Sequence, residues 1–306
     1  MSDSPHARDG ISASSMTEPR SSSAPRSSSL SRRSEKRADF DIADQMPGAA
    51  GMLGAAANVI MQLGHPGVGY GVVESKVDSG NVMLHPWKRL RTTISYLVVA
   101  LFGTDTDRNV YRKAVNRSHV PVRSGPDSPV AYNAFDPELQ LWVAACLYVG
   151  FRDGRTLFLG PMDDETADGL YKYCHRLGTS LQVPREAWPE DRAAFEEYWQ
   201  AGLAKVRYDE PVRAHLMKVV ELRMVPKPLQ WGNAPLNTFF TIGLLPPEIR
   251  TAMGLEWTPK QQATFDRWVR RIRFVTRLTP RWARNLPIHL QLAEVRFRIR
   301  RGWKLT

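Results

Sequence analysis

The chain has 306 residues, 42% of them apolar and 24% charged, with a formal net charge of +11. That composition excludes a wholly disordered chain, a collagen-like repeat and a disulfide-stapled mini-protein, and leaves enough apolar surface for one large core. The charge is local: Arg267 to Lys304 holds twelve Lys/Arg and one acid, Glu294, so this stretch alone sums to +11 and the remainder to about zero.

Residues 1–38 contain thirteen serines, seven Arg/Lys and no Phe, Trp or Tyr. Such a stretch cannot bury enough apolar surface to offset its ordering entropy, so a disordered tail is expected. Arg32-Arg33 is no twin-arginine signal, because Glu35, Lys36, Arg37, Asp39, Asp41 and Asp44 stand where the apolar region should begin. With two cysteines in no CxxC pair, the expected location is the reducing cytoplasm. Gly48 to Val73 lacks any charged residue but is nearly half Gly and Ala and is broken by Pro66. Gly48–Leu63 therefore reads as a buried small-residue helix rather than a lipid-spanning one, which needs about 20 strongly apolar residues.

The body reads as helices separated by Pro/Gly loops. Lys88–Phe102 is amphipathic and ends at Gly103; Asp105–His119 follows, with Val110, Ala114 and Val115 at helical spacing. Asp136-Pro137-Glu138 combines an N-cap acceptor, proline at N1 and a carboxylate at the positive end of the dipole, opening a helix expected to stop at Gly150. Asp163–Leu177 should end on Gly178, and Glu190–Leu203 is again amphipathic. Thr258-Pro259-Lys260-Gln261 is a capping box opening a helix through Arg273. Strand signals are scarce. The expected fold is all-α, a single multi-helix domain over residues 39–290, flanked by the tail and by a basic C-terminal segment, 291–306.

Spacing sets several chemistries aside. There is no GxSxG elbow, P-loop, HExxH helix or CxxCH haem-attachment motif, and no histidine has a Glu three residues before it. Gly67, Gly69 and Gly71 follow a helix-like run rather than a strand, which argues against a dinucleotide fingerprint. What remains are His65, at the break Leu63-Gly64-His65-Pro66, His119, ending Asn116-Arg117-Ser118-His119, and Arg89, Arg91 and Thr92. In a helical box one imidazole can ligate iron while arginines pair with propionates; equally, a lone histidine serves as a helix-end polar group. His175 reads as a partner for a helix C-terminus and Cys146 as a small core residue.

Three strings then become informative in order: Gln62-Leu63-Gly64-His65-Pro66-Gly67-Val68, His119-Val120-Pro121-Val122, and Tyr132-Asn133-Ala134-Phe135-Asp136-Pro137-Glu138-Leu139-Gln140-Leu141-Trp142-Val143. With Arg91-Thr92, Phe102-Gly103-Thr104 and Leu244-Leu245-Pro246-Pro247-Glu248-Ile249-Arg250, they resemble the catalytic domain of the MpaB-type oxygenases and rubber oxygenases (latex clearing protein). The resemblance implies a globin-like helical arrangement holding non-covalent haem b, and O2-dependent cleavage of a carbon–carbon double bond in a hydrophobic, isoprenoid or lipid substrate. It also implies roles for residues: His119 as metal ligand and catalytic residue, with His65 the other candidate ligand, Arg117 as a distal or propionate-pairing group, and His65, Arg91, Thr92 and Trp142 around the cofactor. One position departs from the pattern. Many members carry a histidine directly after the Trp-Val pair, and here that residue is Ala144. The alternative is therefore a haem-free protein of the same fold that binds a lipid or a protein partner.

In Arg267–Lys304, Trp268, Val269, Ile272 and Phe274 alternate with arginines, and Trp282, Ile299 and Trp303 continue the mixture. The first reading there is a final helix packed on the domain with solvated arginines, and the second is peripheral contact with an anionic membrane surface. Nucleic acid ranks last, since the body is near neutral and no recognition motif accompanies the charge.

Overall fold

Proline at the first helical position, side-chain N-caps and glycine stops set the boundaries of the helices in the computed structural model, which describes residues 40–306; the tail at 1–38 lies outside the described residues. In chain order the helices are α1 (Ala55–Leu63), α2 (Pro66–Val73), α3 (Pro86–Phe102), α4 (Asp105–His119), α5 (Pro137–Leu159), α6 (Asp164–Cys174) and α7 (Arg176–Thr179). They continue as α8 (Arg192–Leu203), α9 (Glu210–Val220), α10 (Lys227–Leu244), α11 (Pro247–Met253), α12 (Pro259–Leu278) and α13 (Arg281–Arg301). Among the described residues the only β pairing is a single bridge between Arg123 and Asn133, so the fold is all-α.

The caps behave as their chemistry requires. The Asp136 carboxylate accepts from the backbone N–H of Glu138 at 2.8 Å, starting α5. Thr104 and Asp107 form a reciprocal box at the start of α4, and Thr258 and Gln261 do the same for α12. Asp107 also accepts from Arg296 of α13 at 2.9 Å, joining the two helices. Val110, Ala114 and Val115 pack against a cluster containing Val98 and Val99 of α3 and Ile288, Leu292 and Val295 of α13.

At the centre runs α5, whose Trp142, Ala145, Cys146, Tyr148 and Val149 belong to the largest buried cluster. It does not stop at Gly150. A Cβ there would overlap the Asn58 amide of α1, so this glycine serves close approach, and the helix continues to Gly160, whose φ of 108° ends it. Gly48–Leu63 also departs from expectation: Gly48–Gly54 is a 3-10 turn with no buried residue, and only α1 is buried, through Ala57, Ile60, Met61 and Leu63. The expected helix Asp163–Leu177 breaks at His175, whose Nδ1 lies 2.6 Å from the Lys172 carbonyl. Helix α13 runs through residue 290, within the compact unit Phe40–Thr306.

Candidate functional site

The α1–α2 break places the first candidate. His65 stands at the N-cap of α2 in extended conformation, and the Gly64 carbonyl beside it accepts from Arg207 N–H at 3.0 Å. Its ring centroid lies 6.3 Å from that of Trp142. Trp142 is buried; its indole N–H donates to the Gln62 carbonyl at 3.1 Å, and its ring stacks on Trp199 at 5.1 Å. His65, Trp142, Tyr198, Gly202, Glu138 and Lys205 line a cavity of about 60 Å³. Burial lowers the His65 pKa, and its Nδ1 is buried without a hydrogen-bond partner.

His119 occupies a different place, at the C-terminal end of α4, with its ring edge-on to Phe135 at 6.4 Å. Burial, assisted by the nearby Arg89 charge, pushes its pKa down to about 4, so the imidazole is neutral at pH 7. Its Nδ1 is likewise buried and unpartnered. Arg117, two residues earlier, is exposed. Arg91 and Thr92 do not join either histidine. The Arg91 guanidinium lies 3.6 Å from Glu294 and reaches the Leu305 carbonyl, while the Thr92 hydroxyl donates to the Arg89 carbonyl at 3.0 Å.

Sequence reasoning missed the polar link between α4 and α5. Gln140 donates to the Ala134 carbonyl at 2.7 Å and to the Gln182 side chain at 2.6 Å, and its own carbonyl accepts from Gln182 N–H at 3.0 Å. Gln182 in turn donates to Asn116 on α4. A glutamine on an otherwise apolar helix face, one turn before Ala144, was the available signal.

The model of the family described as ER-bound oxygenase mpaB/B'/rubber oxygenase, catalytic domain, matches residues 46–274. The chain belongs to this oxygenase family. Two mycobacterial relatives, an uncharacterized protein of Mycobacterium tuberculosis and one of Mycobacterium bovis, are each 52% identical over 255 residues, covering 83% of this chain and 100% of the relative. No solved structure matches the chain.

The family brings haem b into question, and two parts of the structure answer differently. A histidine that held haem iron would have to be uncharged with a free nitrogen, and His119 has that chemistry. At position 144 the residues do not fit. Alanine carries no donor atom, Ala144 is 1% exposed, and a Cβ on Gly178 would lie only 3.4 Å from its Cβ. Among the described residues no three His, Cys, Asp or Glu side chains gather as they would for an ion held by protein ligands alone.

Proposed function

We propose that the protein is a haem b-dependent oxygenase that cleaves a carbon–carbon double bond of a hydrophobic, isoprenoid or lipid substrate, with His119 as the iron ligand in place of residue 144. The observation that carries this reading is the half-buried, uncharged His119 imidazole with its Nδ1 buried and unpaired, in a chain of the oxygenase family. Bound haem would supply the O2 chemistry. The overall conversion balances with one O2 per double bond, one oxygen atom going to each new carbonyl, so no external reductant is consumed. The protein's own part would be to keep His119 neutral, to place Arg117 at the same helix end as a positive charge that would pair with a haem propionate, and to offer apolar walls. A substrate without charge is held by burial alone, and Phe135 beside His119 supplies such surface.

The test is the absorption spectrum of the full chain expressed with haem supply. A Soret band with about one haem per chain supports the reading. A colourless protein that also takes up no added haemin contradicts it and favours a second reading, a haem-free family member that binds a lipid or protein partner. That second reading has its own observation: the side of α5 bearing Ala144 is occupied by Gly178, and Gln182 bridges α5 to α4 one turn away.

A further inference from the structure

α12 and α13 each bury one face against the body, α12 through Phe265, Val269 and Thr276, and α13 through Ile288, Leu292 and Val295. Their other faces are also apolar, and open. Phe274 (66% exposed), Val275 and Leu278 (67%) on α12 are followed, across the two-residue link Thr279-Pro280, by Trp282 (72%), Leu286 and Leu290 on α13. Nothing in the core requires these six side chains. They stand at i, i+4 spacing on α13 and within one turn of one another on α12, so each helix presents a stripe rather than scattered apolar residues.

The arginines of the same two helices sort by partner. Four have partners in the body or on their own helix: Arg273 donates to the Leu157 carbonyl at 2.7 Å, and Arg281, Arg296 and Arg298 pair with Asp41, Asp107 and Glu294. Arg270, Arg271 and Arg277 are exposed and have no carboxylate within ion-pair distance among the described residues; Arg271 lies over the Trp268 ring at 5.4 Å. Arg267, Arg270 and Arg271 line a shallow groove with Phe274 and Val275. Unneutralised cations beside exposed Trp, Phe and Leu match a surface that is anionic at the head group and apolar just below it. A second copy of the chain would bring the same positive charge, and a nucleic acid would leave the apolar stripe in water. None of the described helices is long and apolar enough to cross a membrane.

We infer that the α12–α13 corner is a docking surface for a bilayer containing anionic lipid, with Phe274, Leu278 and Trp282 entering the interface and Arg270, Arg271 and Arg277 at head-group level. This rests on exposure and charge in two helices remote in sequence from His119, and stands whether or not haem binds. The experiment is co-sedimentation of the full chain with phosphatidylcholine vesicles, with and without phosphatidylglycerol, at low and high salt. The expected result is binding to the phosphatidylglycerol vesicles that weakens as salt rises, and little binding to phosphatidylcholine alone. Leu278→Ser/Trp282→Ser and Arg270→Gln/Arg271→Gln/Arg277→Gln should each weaken it by at least about tenfold, with unchanged circular dichroism. A dye on Leu278→Cys gives an independent readout, because both native cysteines are buried, and its emission should shift when anionic vesicles are added. The inference is overturned if the chain stays in the supernatant, if both variants bind like the parent, if the dye does not respond, or if light scattering shows a dimer that Leu278→Ser/Trp282→Ser dissociates.

Discussion

His119 is the residue whose chemistry is most constrained by its surroundings. Its folded-state pKa, about 4, lies below the unfolded value near 6.5, so between these values the unfolded chain binds more protons than the folded one. The stability held by its neutral form is complete above about pH 6.5 and is lost as pH falls towards 4. Urea midpoints across that window should drop less steeply in His119→Phe than in the parent; identical slopes would show that the imidazole titrates normally. His65 and His215 are also lowered by burial, so some slope remains in the variant. A second residue-scale outcome follows from Gly150. A methyl group there displaces the Asn58 amide, which donates to the Cys146 carbonyl at 2.7 Å and accepts from Gln62 at 2.6 Å. Gly150→Ala should cost about 1–3 kcal/mol in urea unfolding. No loss would mean that α1 and α5 can separate at this point without penalty.

At the scale of elements, the caps were legible and the interruptions were not. Thr258 and Gln261 announce α12 because each satisfies an otherwise orphaned N–H of the other's residue, a purely local bargain. Thr258→Ala should accordingly lose about 1 kcal/mol, readable as a lowered urea midpoint. Gly150 was misread as a stop because its reason is the approach of α1, more than eighty residues earlier, which no local pattern contains. Pro235 in α10 and Pro287 in α13 would also end a helix by local rules, yet both lie on exposed faces, where solvent can reach the carbonyl left without a donor. Trp142 shows how much one helix position can carry. It stacks on Trp199, binds the Gln62 carbonyl and is 2% exposed, so Trp142→Ala should cost about 3–5 kcal/mol by calorimetry or urea titration.

Across the whole molecule, helical class and family were readable because ordered strings such as His65-Pro66 and Tyr132–Val143 sit at helix starts, where capping residues and packing leave little freedom. The site was only partly readable. His65 and His119 stand out as half-buried imidazoles, each with a buried and unpaired Nδ1, but Arg91 and Thr92 turn towards α13 and their own helix, and Gln182 could not be connected to Gln140 without the fold. Ala144 was visible at once; that Gly178 closes over it was not, since α7 comes from a separate stretch of chain. The oxygenase reading depends on haem, and its ligand assignment on His119. The most direct measurement is haem content and absorption spectrum of the parent beside His119→Ala and His65→Ala, prepared identically. The parent and His65→Ala should show a Soret band with about one haem per chain, and His119→Ala should lose or shift it; a parent without haem, or a His119→Ala spectrum identical to the parent's, would contradict the assignment.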